Sequence, residues 1–315
     1  MKHLFVMDDL DRIDVNGDST LMLMLEAQRR GWPVFMCHPR ELFLVQGQAH
    51  ATVRSVEIAT DRQLKSGASQ QVDLGIFQVI WLRKDPPFDM DYIFSTYILE
   101  MTPKETMVFN HPASVRSANE KLFALQWPDL SPPTLICRQI EHARSWAEQW
   151  SKVVIKPWDG NGGRGVLVSS HSDPNFRSML EILTENEQQH IIVQQYLPEI
   201  VEGDKRIILV DGVPVAWMAR VPQPGDHRGN MHVGARVASF ELSERDREIC
   251  SAIGPTLKAQ GLLFVGIDII GSYLTEINVT SPTGIQELNP MFNIRIEEML
   301  TDSVVSAYNT LLKEE

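Results

Sequence analysis

The sequence predicts an α/β protein whose N-terminal part is a doubly wound, mainly parallel sheet. Short apolar runs alternate with amphipathic stretches over residues 1–120, and a second alternation follows at 134–195. Such alternation is typical of a sheet covered by helices. The last third of the chain instead contains two pairs of apolar runs around glycine turns, which indicate antiparallel hairpins.

The N-terminal unit is expected to hold four strands and three helices. Asp18 or Ser19 can cap the first helix and Gly31 can end it. Residues 45–75 lack a clear period, so a polar hairpin or excursion is expected there. The strands are predicted at 4–7, 33–38, 79–83 and up to Asn110, and the helices at 19–31, at 90–101 and from 112 through Lys121.

Two further units are predicted after the break at Ser131-Pro132-Pro133. The sequence Asp211-Gly212 favours a tight hairpin turn, and Ser243 with Asp246 has near capping-box spacing. Residues 221–236 show no period, and a loop of that length in a compact domain is usually functional. Strands are predicted at 134–137, 152–156, 166–169, 191–195, 205–210, 213–220, 262–270 and 274–279, and helices at 139–150, 175–186 and 243–260.

The composition indicates a globular chain with an acidic surface. Of 315 residues 43% are hydrophobic, and 29 basic against 41 acidic side chains give a net charge of −12. This balance argues against a sequence-independent nucleic-acid binder. No apolar run approaches the ~20 residues of a membrane span, and Asp8 follows the start too closely for a signal peptide. Three distant cysteines predict reduced thiols and a cytoplasmic location.

A lysine at a strand end followed by a glycine-rich loop predicts a phosphate-binding site. Lys156 follows the apolar Val154 and Ile155. The loop after it contains Gly160, Gly162, Gly163 and Gly165. Because glycines lack Cβ, their N–H groups can approach phosphate oxygens closely. The loop is neither a Walker A motif nor a Rossmann fingerprint. An ordinary glycine hairpin is the alternative, and Lys156 favours the nucleotide site.

Three oxygen-bearing side chains near the C-terminal hairpin predict a Mg²⁺ site: Asp268, Glu276 and Asn278. Glu276 and Asn278 share a strand face because side chains alternate. A two-residue turn at 271–272 would leave Asp268 out of phase with Glu276. We therefore predict a three-residue loop, or an equivalent β-bulge, that sets Asp268 opposite Glu276. A solvated edge strand is the alternative, and the surrounding isoleucines disfavour it.

Two groups of basic residues are candidates for contact with an anionic substrate. Arg83 and Lys84, followed by Asp85, lie just past a strand end, where ligands of open α/β sheets bind. Arginines stabilise the charge that phosphoryl transfer spreads over oxygens. The hairpin at 205–220 and the loop beyond it carry Arg206, Arg220 and Arg228. A rigid turn and solvated surface arginines are the alternatives.

The chain resembles the prokaryotic-type glutathione synthetases, which are ATP-grasp ligases. The resemblance runs from end to end and includes LRKDPPFD (82–89), NEKLF (119–123), IKPWDGNGGRG (155–165), GDKRIILVDGVPV (203–215) and FVGIDIIG with LTEINVTSPTGI (264–285). It implies an ATP-grasp fold preceded by the doubly wound pre-ATP-grasp domain. The implied division is 1–120 for substrate binding, 121–200 with the glycine loop, and 201–315 with the metal-binding hairpin and the flexible loop 221–236.

The resemblance also implies a reaction. ATP, γ-glutamylcysteine and glycine would give glutathione, ADP and phosphate through an acyl phosphate. Two Mg²⁺ ions, or Mn²⁺, would assist, and residues 221–236 would form a lid that keeps water from the acyl phosphate. A homotetramer is implied, with no nucleic-acid or membrane partner. An ATP-grasp ligase with another amine acceptor and a non-catalytic ATP-binding module are the alternatives.

The resemblance assigns roles residue by residue. ATP would contact Lys121, Lys156, Gly160, Gly162, Gly163, Gly165, Gln195, Tyr196, Leu197 and Asp204. The metal ligands would be Asp268, Glu276 and Asn278, and the catalytic arginines Arg206, Arg220 and Arg228. The γ-glutamyl substrate would meet Arg83, Lys84, Asp85, Ser281, Thr283 and Gly284. Asp9, Gln286 and residues 288–296 depart from the family pattern, and the departures lie at the substrate end of the implied site.

Overall fold

Three β-sheets follow one another along the chain, and helices pack against them. The computed structural model describes residues 1–160, 163–223, 229 and 234–313. Within these residues the sheets contain eight, four and five strands. Among the helices of this part of the chain, none is long and apolar enough to cross a membrane.

The first sheet has a parallel centre, as the sequence predicts. Its strands β1 (His3–Val6), β2 (Val34–Cys37), β7 (Val79–Leu82) and β8 (Met107–Phe109) lie in the order β2-β1-β7-β8. Helix α1 (Ser19–Arg29) lies between β1 and β2, α2 (Met90–Leu99) lies between β7 and β8, and α3 (Pro112–Ser117) follows β8. Asp18 caps α1 by accepting from the backbone N–H groups of Thr20 and Leu21.

Residues 42–73 are more regular than the sequence suggests. They form the antiparallel strands β3 (Leu42–Val45), β4 (Gln48–Ile58), β5 (Leu64–Ser66) and β6 (Gln70–Asp73), and β4 also pairs with β2. Ala49, Ala51 and Val53 are buried and alternate with more exposed residues. Alanines give a weak hydrophobic signal, so this alternation is easily missed.

The helix predicted through Lys121 ends earlier. Helix α3 stops at Ser117, and Asn119 then accepts hydrogen bonds from the backbone N–H groups of Lys121 (3.0 Å) and Leu122 (3.1 Å). This local competition by an asparagine side chain replaces the helical hydrogen bonds. Glu120 and Lys121 therefore lie in a turn.

The second sheet has its own apolar core. It contains β9 (Thr134–Cys137), β10 (Val153–Pro157), β11 (Leu167–Ser169) and β12 (Ile191–Gln195), in the order β11-β10-β12-β9. Helices α4 (Ile140–Ala147) and α5 (Phe176–Leu183) cover one face. All its strand pairs are antiparallel, although the chain alternates strand and helix as predicted.

The third sheet is also antiparallel. Its strands are β13 (Asp204–Val210), β14 (Val213–Val221), β15 (Arg236–Ala238), β16 (Phe264–Ile270) and β17 (Tyr273–Asn278), in the order β15-β14-β13-β16-β17. Helix α6 (Glu244–Ala259) starts with the predicted capping box of Ser243 and Asp246. Helices α7 (Ile285–Phe292) and α8 (Ile296–Leu311) follow the last strand, and the sequence analysis did not predict them.

Asn110 fixes the first sheet to the third. Its Nδ2 donates to the carbonyls of Phe264 and Val279, both at 2.7 Å, and its Oδ1 accepts from the Phe264 N–H at 2.9 Å. A continuous apolar core that includes Ile80 and Ile267 runs between the same two sheets. The carboxyl edge of the first sheet is thereby held beside the end of β17.

Candidate active site

A β-bulge at Thr275 sets Asp268 opposite Glu276. The turn between β16 and β17 has two residues, because Ile270 pairs with Tyr273, but the register shifts so that Asp268 pairs with Glu276. Thr275 is the extra residue, and its Oγ1 donates to the Asp268 carbonyl at 3.0 Å. The predicted alignment is therefore present, through the bulge and not through a three-residue loop.

Two arginines from neighbouring strands surround the Asp268 carboxylate. Arg206 of β13 donates from Nε to Oδ1 at 2.5 Å and from Nη2 to Oδ2 at 2.9 Å. Arg220 of β14 approaches Oδ1 to 3.0 Å. Burial alone would raise the pKa of Asp268, but the two guanidinium groups lower it to about 2. Asp268 therefore stays ionised in a buried site, as a metal ligand must.

Asp204 also contacts Arg220, but its pKa shifts in the opposite direction from that of Asp268. Arg220 Nη2 contacts Asp204 Oδ2, whereas the buried Oδ1 has no hydrogen-bond partner among the described residues. Burial raises the pKa of Asp204 to about 7, against the opposing effect of Arg220. A Cβ added to Gly229 would lie 2.6 Å from the Asp204 Cβ, so the backbone of Gly229 lies beside this carboxyl. A buried carboxyl with such a shifted pKa is typical of functional sites.

Lys121 and Lys156 lie across the site from the arginines and the hairpin acids, and we call these two lysines with the glycine loop the cradle. Lys156, at the end of β10, is buried and donates to Gln194 Oε1 at 3.3 Å, and burial lowers its pKa. Lys121 Nζ donates to the Gly160 carbonyl at 2.5 Å and to Glu120. Burial disfavours the charge on Lys121, but Glu276 and Glu120 raise its pKa. Lys121 therefore stays positively charged.

The cradle and the hairpin acids meet at Lys121. Its Nζ lies 3.7 Å from Glu276 Oε1, so the strand-end lysine, the glycine loop and the metal-ligand candidates border one space. That space is a cavity of about 480 Å³ between the second and third sheets. Its wall combines charged groups with apolar side chains such as Val154, Ile200 and Ile270. A flat apolar base and a charged phosphate chain both fit such a lining.

Most of the predicted site residues lie in this wall. They are Asp85, Lys121, Lys156, Gly160, Gly163, Gln195, Tyr196, Leu197, Asp204, Arg206, Arg220, Asp268, Glu276, Asn278, Ser281 and Thr283. Four others lie outside it: Gly165, Arg83, Lys84 and Gly284. Gly162 and Arg228, with much of the predicted lid 221–236, lie outside the described residues.

The glycines outside the wall have backbone roles. Gly165 has φ +72°, and a Cβ there would meet the Pro157 ring at 3.2 Å. Gly284 has φ +121° and precedes α7, where a Cβ would lie 3.1 Å from Met218 Cε. Both positions favour glycine because of the positive φ.

Arg83 lies outside the cavity wall and contacts two other parts of the chain. It is 4% exposed, and it donates from Nε to Thr20 Oγ1 at 3.1 Å and from Nη2 to the Pro282 carbonyl at 2.9 Å. Among the described residues its buried Nη1 has no hydrogen-bond partner. Lys84 pairs with Asp8 at 3.2 Å. Arg83 thus connects helix α1 to the loop that carries Ser281 and Thr283.

Several wall residues were not predicted from the sequence. One of them, Glu120, has an ionisable side chain. Its pKa is raised by burial and by Glu276. Its position directly before Lys121, in NEKLF, was the available signal, since a lysine kept charged in a buried site needs a counterion. The unpredicted wall residues also include Gln194, Thr280 and Pro282.

The donor set of the hairpin fits Mg²⁺. Within the described part of the chain, no three His, Cys, Asp or Glu side chains are arranged to hold a metal. The predicted set instead has two carboxylates and the amide of Asn278, whose Nδ2 lies 3.2 Å from Asp268 Oδ2. Carboxylate and amide oxygens are hard ligands, and Mg²⁺ usually needs only a few of them beside water and phosphate.

Two family models cover most of the chain. The N-terminal domain of prokaryotic glutathione synthetase matches residues 1–116, and the ATP-grasp domain of the same family matches residues 120–293. The glutathione synthetase of Pseudomonas syringae pv. tomato is 44% identical over 303 residues, which are 95% of each chain. That of Agrobacterium fabrum is 44% identical over 95% of this chain and 94% of its own. That of Salmonella typhimurium is 43% identical over 95% and 96%.

Solved structures share the fold at lower identity. The D-cycloserine synthetase DcsG superposes with a TM-score of 0.66 at 15% identity, covering 96% of this chain and 99% of its own. The ATP-grasp ligase PsnB gives a TM-score of 0.62 at 16% identity, covering 96% and 98%. These similarities show an ATP-grasp fold.

Proposed function

Because the chain belongs to the prokaryotic glutathione synthetase family, and is therefore an ATP-dependent ligase, we propose that it joins γ-glutamylcysteine to glycine. The cysteinyl carboxylate attacks the γ-phosphorus of ATP, and ADP leaves. The resulting acyl phosphate is attacked by the glycine amine, which loses a proton as phosphate departs. The products are glutathione, ADP and phosphate.

The contact between Lys121 and Glu276 is the observation that carries this proposal. It brings Lys121, in the turn after α3, within 3.7 Å of Glu276, a metal-ligand candidate on β17 of the third sheet. A nucleotide whose phosphates lie between them contacts Lys121 and Lys156 on one side and the hairpin on the other. Val154, Tyr196 and Leu197 supply a surface suited to the base.

The positive charge of the site comes from the chain and from metal ions. Asp268, Glu276 and Asn278 would hold Mg²⁺, two ions by resemblance, or Mn²⁺, and the ions would neutralise phosphate charge when bound. Arg206 and Arg220 place fixed guanidinium charge beside Asp268, where it can stabilise the negative oxygens of the acyl phosphate. We assign Arg228 the same role from the resemblance.

The substrate end is formed by two loops. We propose that Asp85, Ser281 and Thr283 contact γ-glutamylcysteine, because they lie in the cavity wall. Arg83, Lys84 and Gly284 hold these loops in place. From the resemblance we assign residues 221–236 the role of a lid, and Gly229, a described residue of this range, lies beside Asp204. The three sheets support a division into domains at about residues 120 and 200. A cytoplasmic location remains a prediction.

One experiment tests the reaction. The purified chain is incubated with ATP, γ-glutamylcysteine and glycine, with and without Mg²⁺, and both ADP and glutathione are quantified. We expect one ADP per glutathione, dependent on Mg²⁺. Glu276→Gln should abolish turnover while circular dichroism stays unchanged. ADP release with another amino acid but not with glycine would favour a different acceptor, and absence of turnover with every acceptor would favour a non-catalytic module.

A further inference from the structure

The loop between β17 and α7 supplies much of the substrate end of the cavity. We call residues 279–284 the substrate loop, and its members Thr280, Ser281, Pro282 and Thr283 lie in the cavity wall. The loop belongs to neither a helix nor a strand. Its shape therefore depends on contacts that other parts of the chain make with it.

The N-terminal part of the chain holds the substrate loop at its middle and at its end. In the middle, Arg83 Nη2 donates to the Pro282 carbonyl at 2.9 Å. At the end, Ser19 Oγ, in the first turn of α1, accepts from the Ile285 N–H at 3.2 Å. The position of the loop is thus set from the side of α1 as well as by β17.

Gln286, the second residue of α7, connects the same end of the loop to the segment before α1. Its Nε2 donates to the Asp18 carbonyl at 2.8 Å and to the Val15 carbonyl at 3.3 Å. Its Oε1 accepts from Arg62 Nη1 at 2.8 Å, and the same Nη1 donates to the Val15 carbonyl at 2.7 Å. The side-chain amide of Gln286 therefore has one orientation, with its oxygen toward the guanidinium and its nitrogen toward the two carbonyls.

Arg62 comes from the antiparallel strands at 42–73, which the proposed reaction does not otherwise use. It lies in the turn between β4 and β5, where its N–H donates to the Ala59 carbonyl at 2.8 Å. Its φ is +64°, a conformation that glycine adopts freely and arginine rarely. What an arginine supplies at this turn is its side chain, which reaches Gln286 across 224 positions of the sequence.

We propose that Arg62 and Gln286 are positioning residues for γ-glutamylcysteine, because they fix the end of the substrate loop. Both lie outside the cavity wall that the described residues form, so they act on the substrate through the loop. This inference rests on the proposed function, which places the peptide substrate against Ser281 and Thr283. The affinity for ATP should not depend on the pair, since the nucleotide lies between the cradle and the hairpin.

Steady-state kinetics test the pair directly. Arg62→Met and Gln286→Met should each raise the KM for γ-glutamylcysteine at least ~5-fold and leave the KM for ATP within ~2-fold of wild type. Because both changes remove one shared contact, the double variant should have about the KM of Gln286→Met. Arg54→Met is the matched control, since it breaks a partly buried ion pair with Glu41 on the same strand β4 and should change no KM. An unchanged KM for γ-glutamylcysteine in both variants, or an equal rise in every KM, would overturn the proposal.

An exchange of the two side chains tests the contact by recovery and not by loss. Gln286→Arg brings a second guanidinium against Arg62 and should raise the KM for γ-glutamylcysteine. Adding Arg62→Gln returns one guanidinium and one amide to the site, and the KM should come back to within ~3-fold of wild type. A double variant that is no better than Gln286→Arg alone would contradict the proposal.

Hydrogen exchange measured by mass spectrometry gives a readout that does not need turnover. Without substrates, the peptide covering residues 279–286 should exchange at least ~10-fold faster in Gln286→Met than in wild type, because the end of the loop is released. Arg54→Met should leave this peptide unchanged. Equal exchange in Gln286→Met and wild type would reject the positioning role even in a chain that ligates γ-glutamylcysteine. Absence of wild-type turnover with γ-glutamylcysteine would reject the proposed function and the substrate named here, while faster exchange would still show that the pair holds the loop.

Discussion

Arg206 and Asp268 form a two-point ion pair across adjacent strands. They are direct register partners of β13 and β16, with Nε to Oδ1 at 2.5 Å and Nη2 to Oδ2 at 2.9 Å. Both side chains are less than a tenth exposed. The carboxylate that we assign to the metal therefore depends on arginine for its ionised state, and the arginine is positioned by the carboxylate.

Arg206→Gln tests this dependence. The variant should lower kcat at least ~100-fold, because an oriented cation beside the reacting phosphoryl group is lost. It should also destabilise the fold by about 3 kcal/mol, since Asp268 keeps only Arg220 as a buried cationic partner. Steady-state kinetics and urea unfolding measure the two effects. Arg206→Lys, which retains the charge, should lose less of both, and wild-type turnover by Arg206→Gln would contradict the assignment.

The bulge at Thr275 gives a prediction about strand register. Thr275 is the extra residue between the pairs Ile269–Leu274 and Asp268–Glu276, so its deletion makes Leu274 and Glu276 neighbours and keeps Glu276 opposite Asp268 without a bulge. We therefore expect the deletion variant to retain measurable ligation. Thr275→Val keeps the bulge and loses only the hydrogen bond to the Asp268 carbonyl, with a cost of about 1 kcal/mol.

Turnover and its Mg²⁺ dependence are measured for both Thr275 variants. Each should retain ligation, because each keeps Glu276 opposite Asp268. Loss of activity in the deletion variant alone would show that the bulge itself, and not only the register of β17, aligns the metal ligands.

Lys156 gives a prediction about nucleotide affinity. Its buried ammonium contacts Gln194 and lies in the cavity wall, so Lys156→Met should raise the KM for ATP at least ~10-fold by removing a charge-assisted contact to phosphate. The KM values for γ-glutamylcysteine and glycine should change much less. Lys65→Met, on the exposed strand β5, is the control and should change none of the three. A uniform change in all KM values would indicate a general disturbance of the site.

The sequence predicts the positions of the hairpin acids and of the cradle because they depend on neighbouring residues in the sequence. Alternation puts Glu276 and Asn278 on one face, and the surrounding isoleucines require that the hairpin be core. The roles of individual glycines depend on tertiary contacts instead. Gly160 and Gly163 line the cavity and Gly165 does not, although Gly160 and Gly165 both lie against the Pro157 ring, and nothing in the loop sequence distinguishes them. Arg83 likewise has a position typical of a ligand contact, but its partners Thr20 and Pro282 are distant in sequence.

The last prediction concerns Glu26, a buried carboxylate far from the site in sequence. Its fully covered side chain accepts from Arg29 Nε at 2.8 Å and Arg30 Nε at 2.6 Å, and from Arg295 Nη2 at 2.6 Å. The contact to Arg295 connects α1 to the start of α8. Burial alone would raise the pKa of Glu26, but the hydrogen bonds from Arg29 and Arg30 lower it to about 2.

A carboxyl group with a lowered folded-state pKa stabilises the fold above its unfolded pKa of about 4.3. That stability is lost as the pH falls through about 2. Glu26→Gln should therefore be less stable than wild type by about 2 kcal/mol at pH 7, after allowance for the solvent-exposed arginines. The difference should shrink steadily as the pH falls below about 4. Urea unfolding at several pH values measures it. Glu181→Gln removes an exposed pair with Arg177 and should change stability by no more than about 0.5 kcal/mol. A Glu26→Gln difference that is the same at every pH would show that packing, and not the charge of Glu26, holds α1 to α8.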